Sequence, residues 1–159
     1  MTILAGLASA LSSPAGPQND KACDLRGDTF EVSFSYPDAS RTIHDAGRFT
    51  VPASDIDPRG FGFAHIDLQD RAVIVRYTAS NTFETAPFHG YVLKDLSRSD
   101  IRSVTIDGGT TVGGVTASWL TVKGDTIALN LADVSYRVGD EIRLDIGLTC
   151  DRLLISRSG

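Results

Sequence analysis

Three histidines are the first side chains in this chain that could do chemistry. His44, His65 and His89 lie far apart, and no two of them stand at the i, i+2 or i, i+4 spacing that places metal ligands on one face. No Gly-x-Ser-x-Gly motif gives a serine the turn of a hydrolase nucleophile. The histidines are therefore interpreted as hydrogen-bonded or solvated, and the sequence predicts neither an enzyme nor a cofactor.

A group of aspartates offers the oxygen ligands that calcium prefers. Asp55 and Asp57 lie in a turn-rich segment, with Asp67 and Asp70 nearby. The spacing of an EF-hand loop is missing, and aspartates also occupy turns because their side chains cap backbone N–H groups. Capping is the preferred interpretation, and calcium at Asp55 and Asp57 is the alternative.

Two cysteines bracket the chain. Cys150 continues a period-two run of apolar residues that begins at Ile142, and Cys23 precedes the first clear strand. A disulfide between them would close a loop that spans most of the domain, which the chain-entropy model credits with about 4–5 kcal/mol. We expect this disulfide, and with it an oxidising compartment. The alternative is two separate buried thiols.

An Arg-Gly-Asp tripeptide occurs at residues 26–28, within the stretch CDLRGDTFEVSFSYP. Some adhesion proteins offer this tripeptide to receptors. Glycine and aspartate are also favoured for backbone reasons where a chain turns before a strand. We predict a turn that leads into a strand at Phe30, with no role in adhesion.

The charged residues favour strands and turns and exclude some partners. The chain has 17 Asp but 3 Glu, and aspartate favours turns whereas glutamate favours helices. The net charge of −5 makes nucleic acid an unsuitable main partner, because phosphates attract basic surfaces.

No apolar run approaches the roughly 20 residues of a membrane-spanning helix, so no membrane span is predicted.

Alternation of apolar and polar residues recurs along the chain. Phe30, Val32, Phe34 and Tyr36 alternate with polar residues, which indicates a strand with one wet face. Further strands are predicted near residues 41–51, 61–68, 71–78, 88–93, 101–106, 118–122, 126–131 and 141–150. The sequence therefore predicts an all-β fold, an antiparallel β-sandwich or jelly roll of about eight or nine strands, as a single domain over residues 22–159.

The closely spaced strands at 61–68 and 71–78 predict a hairpin with two faces. If Gln69-Asp70 is its turn, one face carries Ala64, Ile66, Leu68, Val73, Val75 and Tyr77 toward the core. The other face carries Phe63, His65, Ile74 and Arg76, and this set is the candidate binding patch, because aromatic and Arg side chains are enriched at interfaces. The alternative is that the second sheet or an N-terminal arm covers it.

Trp119 is the only tryptophan. Its apolar neighbours indicate a core residue, and a sugar-stacking platform is the alternative.

Residues 1–21 resemble an export signal. The run from Ile3 to Leu11 is apolar, and Ala8-Ser9-Ala10 resembles a cleavage site, but no Lys or Arg precedes the run. The segment is either an export signal or an N-terminal helix or arm of the folded protein.

Two runs resemble short exported bacterial β-sandwich proteins of unknown function, some of which carry a PEP-CTERM sorting segment. The runs are FHGYVLKDLSRSDIRSVTI, from Phe88, and DTIALNLADVSYRVGDEIRLDI, from Asp125. The resemblance implies export and a β-sandwich. The chain ends in DRLLISRSG, without the hydrophobic anchor of the sorted proteins, so a secreted or periplasmic location is expected.

These features favour a non-enzymatic exported β-sandwich with a binding or structural role at the cell surface or outside the cell. Its expected partner is a protein or a further copy of the chain. One alternative is a carbohydrate-binding module that binds polysaccharide on an aromatic face. The other is a phage-type capsid decoration or shell protein, whose N-terminal arm lies on a neighbouring subunit.

Overall fold

Alternating apolar side chains build two five-stranded antiparallel sheets. A computed structural model of the chain describes residues 24–58, 60, 62–97 and 101–149. The strands are β1 (Thr29–Ser35), β2 (Thr42–Thr50), β3 (Ala53–Ile56), β4 (Ala64–Leu68), β5 (Ala72–Tyr77), β6 (Asn81–Thr82), β7 (Gly90–Asp95), β8 (Ile101–Ile106), β9 (Leu120–Lys123), β10 (Thr126–Asn130), β11 (Ser135–Tyr136) and β12 (Glu141–Leu148). One 3-10 turn spans Ala117–Trp119.

The two sheets have the strand orders β2-β1-β7-β10-β9 and β3-β4-β5-β12-β8, and β6 pairs with β11 in a separate two-stranded ribbon. The strand pairs of the described residues are antiparallel, which confirms the predicted all-β sandwich class. The described residues form twelve strands instead of eight or nine. The additional ones, β3, β6 and β11, have two to four residues, too few to show alternation.

The core lies between the inner faces of the two large sheets. Phe34 of β1, Ile127 of β10 and Leu144 of β12 are each 0% exposed, as their alternation predicts. The buried apolar residues join into one continuous cluster. Within the described residues, no helix is long and apolar enough to cross a membrane.

The β4–β5 hairpin has the predicted faces, but its turn is Asp70-Arg71 instead of Gln69-Asp70, because Gln69 and Ala72 exchange backbone hydrogen bonds. Ile66 lies opposite Val75 on the core side, and His65 lies opposite Arg76 on the outer side. The prediction for Phe63 was wrong, because this residue precedes the first residue of β4 and does not follow the alternation. Its ring belongs to the core and packs edge-on against Phe34, with ring centroids 6.1 Å apart.

Aromatic rings collect at one end of the sandwich. Tyr77 stacks on Tyr136 at a centroid distance of 4.0 Å, and Phe83 packs against Phe34 at 6.1 Å. Phe63 lies beside the same rings. We call this the aromatic end, and the β6–β11 ribbon lies there.

The opposite end holds the described residues nearest to both cysteines. Leu25 N–H donates to the Asp70 carbonyl oxygen at 2.6 Å, and Ile146 N–H donates to that of Arg71 at 2.8 Å, so both segments reach the β4–β5 turn. Cys23 and Cys150 themselves, like residues 1–21, lie outside the described residues. The disulfide stays a prediction, which the approach of these two segments supports.

Candidate functional site

A cleft of about 610 Å³ opens at the aromatic end. Its lining includes Trp119, Asp133, Ser135, Arg137 and Asp140, and we call it the Trp119 cleft. Its volume falls within the roughly 300–1,000 Å³ of typical ligand pockets. Predicted site residues other than Trp119 do not line it, so the structure places the candidate site elsewhere than on the β4–β5 hairpin.

The loop over residues 107–119 positions Trp119. It leads from β8 in one sheet to β9 in the other. Its first half is held against β12: Thr111 N–H donates to the Glu141 carbonyl oxygen at 2.8 Å, and Glu141 N–H donates to Thr111 Oγ1 at 2.8 Å. Val112, which is 4% exposed, anchors the loop in the core. These contacts fix the loop where it enters the cleft.

The indole of Trp119 is half-buried. It packs against the core cluster and also lines the cleft, so the interpretation of Trp119 as a core residue was only partly correct. The 3-10 turn that orients it is closed by Trp119 N–H, which donates to the Thr116 carbonyl oxygen at 3.0 Å. Gly114 lies beside the ring, and its φ of +80° is a backbone conformation that favours glycine. A half-buried indole offers an aromatic surface that is held firmly in place.

Asp133 lines the cleft from the loop between β10 and β11. Its φ of 66° is left-handed, a conformation that costs a residue other than glycine about 1 kcal/mol or more. The Thr85 hydroxyl donates to Asp133 Oδ1. Asp133 Oδ2 receives no hydrogen bond within the described part of the chain. Because Asp133 lines the cleft and this oxygen is free of hydrogen bonds to described residues, its carboxylate is a candidate ligand-binding group.

Asn130 holds the loop that carries Asp133. Asn130 Oδ1 accepts hydrogen bonds from His89 N–H at 3.0 Å and Ala132 N–H at 3.1 Å. Its amide donates to the Pro87 carbonyl oxygen at 3.0 Å. One side chain thus ties the segment before β7 to the segment after β10.

Arg137 and Asp140 lie in the tight turn before β12. Arg137 N–H donates to Asp140 Oδ2 at 2.8 Å, and Asp140 N–H donates back to the Arg137 carbonyl oxygen at 3.0 Å. The exposed guanidinium of Arg137 forms no ion pair with a described residue. The cleft therefore combines an aromatic surface with two carboxylates and a guanidinium available to a ligand.

The predicted binding patch is only partly assembled. His65 and Arg76 lie side by side on the outer face of their sheet, but Ile74 is 3% exposed and Phe63 lies in the core. Ile74 and Phe63 therefore cannot offer the apolar surface that was predicted.

Arg76 is already engaged by carboxylates of its own chain. It pairs with Asp67, and its Nε donates to Glu141 Oε1 at 2.7 Å. Arg143 Nε donates to Glu141 Oε2 at 2.9 Å. The hydrogen bond from Arg143, followed by that from Arg76, lowers the pKa of Glu141, and the hydrogen bond to Glu141 raises the pKa of Arg76. These charges satisfy one another.

The calcium candidates Asp55 and Asp57 have different partners in the structure. Asp57 accepts hydrogen bonds from Gly60 N–H at 3.0 Å and Gly62 N–H at 2.5 Å, which is the turn-capping role. Asp55 Oδ1 lies 3.8 Å from His65 Nδ1, and its side chain is 83% exposed. No group of three His, Cys, Asp or Glu side chains suited to a metal occurs within the described residues.

The histidines and the Arg-Gly-Asp tripeptide have structural surroundings. His44 lies on β2, His65 on β4, and His89 beside β7, where Nδ1 is 3.2 Å from the Glu84 carbonyl oxygen. Asp28 is 2% exposed, and Gly27, at φ 81°, makes the turn before β1. A buried carboxylate cannot be offered to a receptor, so the turn interpretation is confirmed.

No protein-family model, curated protein or solved structure matches the chain. The resemblance to exported β-sandwich proteins therefore stays a prediction, and the argument for function depends on the geometry of the site.

Proposed function

We propose that this chain is a non-enzymatic carbohydrate-binding β-sandwich, and that its Trp119 cleft binds polysaccharide. The observation that carries the proposal is a half-buried indole beside Asp133, Arg137 and Asp140 in one cleft.

The lining suits the two kinds of surface that a sugar ring offers. A pyranose has flat faces of C–H groups, which pack on an aromatic ring as other apolar surfaces do. Its rim carries hydroxyl groups, which donate to carboxylates and accept from guanidinium N–H groups. Trp119 provides the first contact, and Asp133, Asp140 and Arg137 provide the second. A few polar groups placed around an apolar platform are the usual composition of a ligand site.

Binding of purified protein to a panel of neutral, uronic-acid and amino-sugar polysaccharides tests the proposal. We expect at least one member to bind, and Trp119→Ala to weaken its binding about tenfold or more, as truncation of a central tryptophan commonly does. Since this indole also packs on the core, Asp133→Asn is a second variant that keeps the side-chain size. It removes the charge from a hydrogen bond, and we expect binding about fivefold weaker.

Asp55→Asn is the matched control, because Asp55 is the other non-glycine residue with a left-handed φ, 57°, in the described part of the chain, and it lies outside the cleft. Asparagine accepts this conformation at both positions, so both variants should fold. The proposal requires Asp133→Asn to weaken binding while Asp55→Asn does not. Equal affinities for the wild type and Asp133→Asn, or binding to no polysaccharide in the panel, would contradict it.

The proposal places the protein outside the cytoplasm, at the cell surface or in the medium, where polysaccharides are encountered. Export and the alternative of a shell protein with an N-terminal arm both depend on residues 1–21, which lie outside the described residues. Sequencing the N-terminus of the native protein distinguishes a removed signal from a retained arm.

A further inference from the structure

A smaller cavity of about 190 Å³ opens at the aromatic end, on the other side of the β6–β11 ribbon from the Trp119 cleft. Its lining includes Tyr36, Phe83, Glu84, His89 and Tyr136, and we call it the aromatic pocket. Successive side chains of β11 point to opposite faces of the ribbon. Tyr136 lines the aromatic pocket, whereas Ser135 and Arg137 line the Trp119 cleft.

Four rings follow one another around the aromatic pocket. The ring centroids of Tyr36 and His89 are 4.8 Å apart with planes at 58°, and those of His89 and Phe83 are 5.1 Å apart at 74°. Phe83 and Tyr136 follow at 5.0 Å and 44°. Phe83, His89 and Tyr136 are 3%, 7% and 4% exposed, so each presents only part of its ring to the pocket, and Tyr36 is the more exposed ring.

The charge of the aromatic pocket favours a cation. Glu84 is exposed at its rim, and its carboxylate forms no hydrogen bond or ion pair with a described residue. No Lys or Arg is among the described residues that line the cavity, so no described cation of the protein occupies it. The Glu84 carbonyl oxygen lies 3.2 Å from His89 Nδ1 and accepts a hydrogen bond from it when Nδ1 carries the proton.

We propose that the aromatic pocket binds a quaternary ammonium group. Such cations are attracted to the faces of aromatic rings within about 6 Å of the ring centroid, and cages of several rings recognise them. The carboxylate of Glu84 also attracts the positively charged ammonium group, which strengthens binding beyond the contact with the rings. The cavity is smaller than the roughly 300 Å³ at which pockets for drug-sized ligands begin, so it suits a headgroup such as trimethylammonium.

Choline and its neutral isostere 3,3-dimethylbutan-1-ol are the probes that test this proposal. The two molecules have nearly the same shape, and only choline is charged. In ligand-observed NMR titrations at low salt, we expect choline to bind about three- to tenfold more tightly than the isostere. Glu84→Gln should weaken choline binding about two- to threefold and leave the isostere unchanged.

Glu31→Gln is the control for Glu84→Gln. Glu31 lies on β1, does not line the pocket, and has a side chain that is 40% exposed; its Oε2 is 3.6 Å from Arg48 Nε. We expect it to bind choline as the wild type does. Tyr36→Leu, which keeps an apolar side chain and removes a ring, should weaken choline binding more than binding of the isostere. Retained binding of the isostere by Tyr36→Leu also shows that the variant is folded.

Phosphocholine and glycine betaine identify what accompanies the ammonium group in the natural ligand. Tighter binding of phosphocholine than of choline assigns a phosphorylated headgroup, and tighter binding of betaine assigns a small zwitterion; either supports the proposal if the isostere binds more weakly. Equal binding of choline and its isostere would show an uncharged apolar pocket and overturn the proposal. Failure of all four probes to bind would overturn it as well.

Discussion

Charged side chains of this protein have two different roles. On the outer face of one sheet, Glu141 pairs with two arginines. Arg76 Nε donates to Glu141 Oε1 at 2.7 Å, and Arg143 Nε donates to Glu141 Oε2 at 2.9 Å. In the Trp119 cleft, the guanidinium of Arg137 and the second carboxylate oxygen of Asp133 have no partner within the described residues. Charges that are already paired stabilise the fold, whereas charges left unpaired around an aromatic side chain are available to a ligand. This contrast favours the cleft over the outer face as the binding site.

The paired glutamate predicts a pH-dependent stability. The lowered pKa of Glu141 means that its contribution is present above the ordinary pKa of glutamate and is lost as pH falls through the lower folded-state value. We expect Glu141→Gln to lower the free energy of unfolding at pH 7 by about 1 kcal/mol, since the side chain is 23% exposed. Urea unfolding at pH 7 and at pH 3 should show this deficit shrinking at the lower pH.

Asp145→Asn is the control for this measurement. Asp145 lies on the same strand and the same face as Glu141, is exposed, and has no ion pair with a described residue. We expect it to unfold like the wild type at pH 7. A Glu141→Gln deficit that stays constant or grows between pH 7 and pH 3 would contradict the assigned role.

The long strands could be predicted from the sequence, and the loops that form the site could not. β1 and β12 alternate clearly, and the β4–β5 hairpin places its apolar residues on the predicted core face. The cleft is built differently, by side chains that hydrogen-bond to backbone far away in the sequence. Arg143 N–H donates to Thr110 Oγ1, and Asn130 binds three groups in two loops. The pattern of neighbouring residues in the sequence does not predict hydrogen bonds of this kind.

Among the residues that line the Trp119 cleft, Trp119 gave a partial signal in the sequence and the aspartates gave none. Trp119 is the only tryptophan, and the sequence allows it to be either a core residue or a platform on which a sugar ring stacks. Asp133 and Asp140 looked like any other turn aspartates, because nothing in a single sequence shows a left-handed φ or a shared cavity. Phe63 was misplaced for a related reason: alternation holds only within a strand, and this residue lies just outside one.

The loop pair that Asn130 joins gives a second stability prediction. Asn130→Ala removes three hydrogen bonds and leaves the N–H groups of His89 and Ala132 without their acceptor. We expect a loss of about 2–3 kcal/mol in the free energy of unfolding, measured by urea denaturation. Asn130→Asp keeps the acceptor and loses only the donor to Pro87, so its loss should be about half as large.

Asn81→Ala is the control for the Asn130 variants. Asn81 is exposed, and its side-chain oxygen accepts one hydrogen bond, from the N–H of Thr82 beside it. We expect a loss below about 0.5 kcal/mol, as for other surface changes. If Asn130→Ala were no more destabilising than Asn81→Ala, Asn130 would not be the link between these loops.

The two ends of the described chain lie at one end of the sandwich, and the two cavities lie at the other. Leu25 and Ile146 reach the β4–β5 turn at one end of the sandwich. The Trp119 cleft and the aromatic pocket lie at the other end, where loops from both sheets and the β6–β11 ribbon meet. A rigid sandwich that presents loops at one end is a common support for binding sites.

The most direct test of the account is tryptophan emission during titration with the polysaccharide panel. Trp119 is the only tryptophan, so its emission reports on this cleft and on no other part of the protein. We expect a saturable shift in emission and protection from acrylamide quenching with at least one polysaccharide, both weakened in Asp133→Asn. Polysaccharide binding that leaves the emission and the quenching unchanged, or no response to any member of the panel, would contradict it.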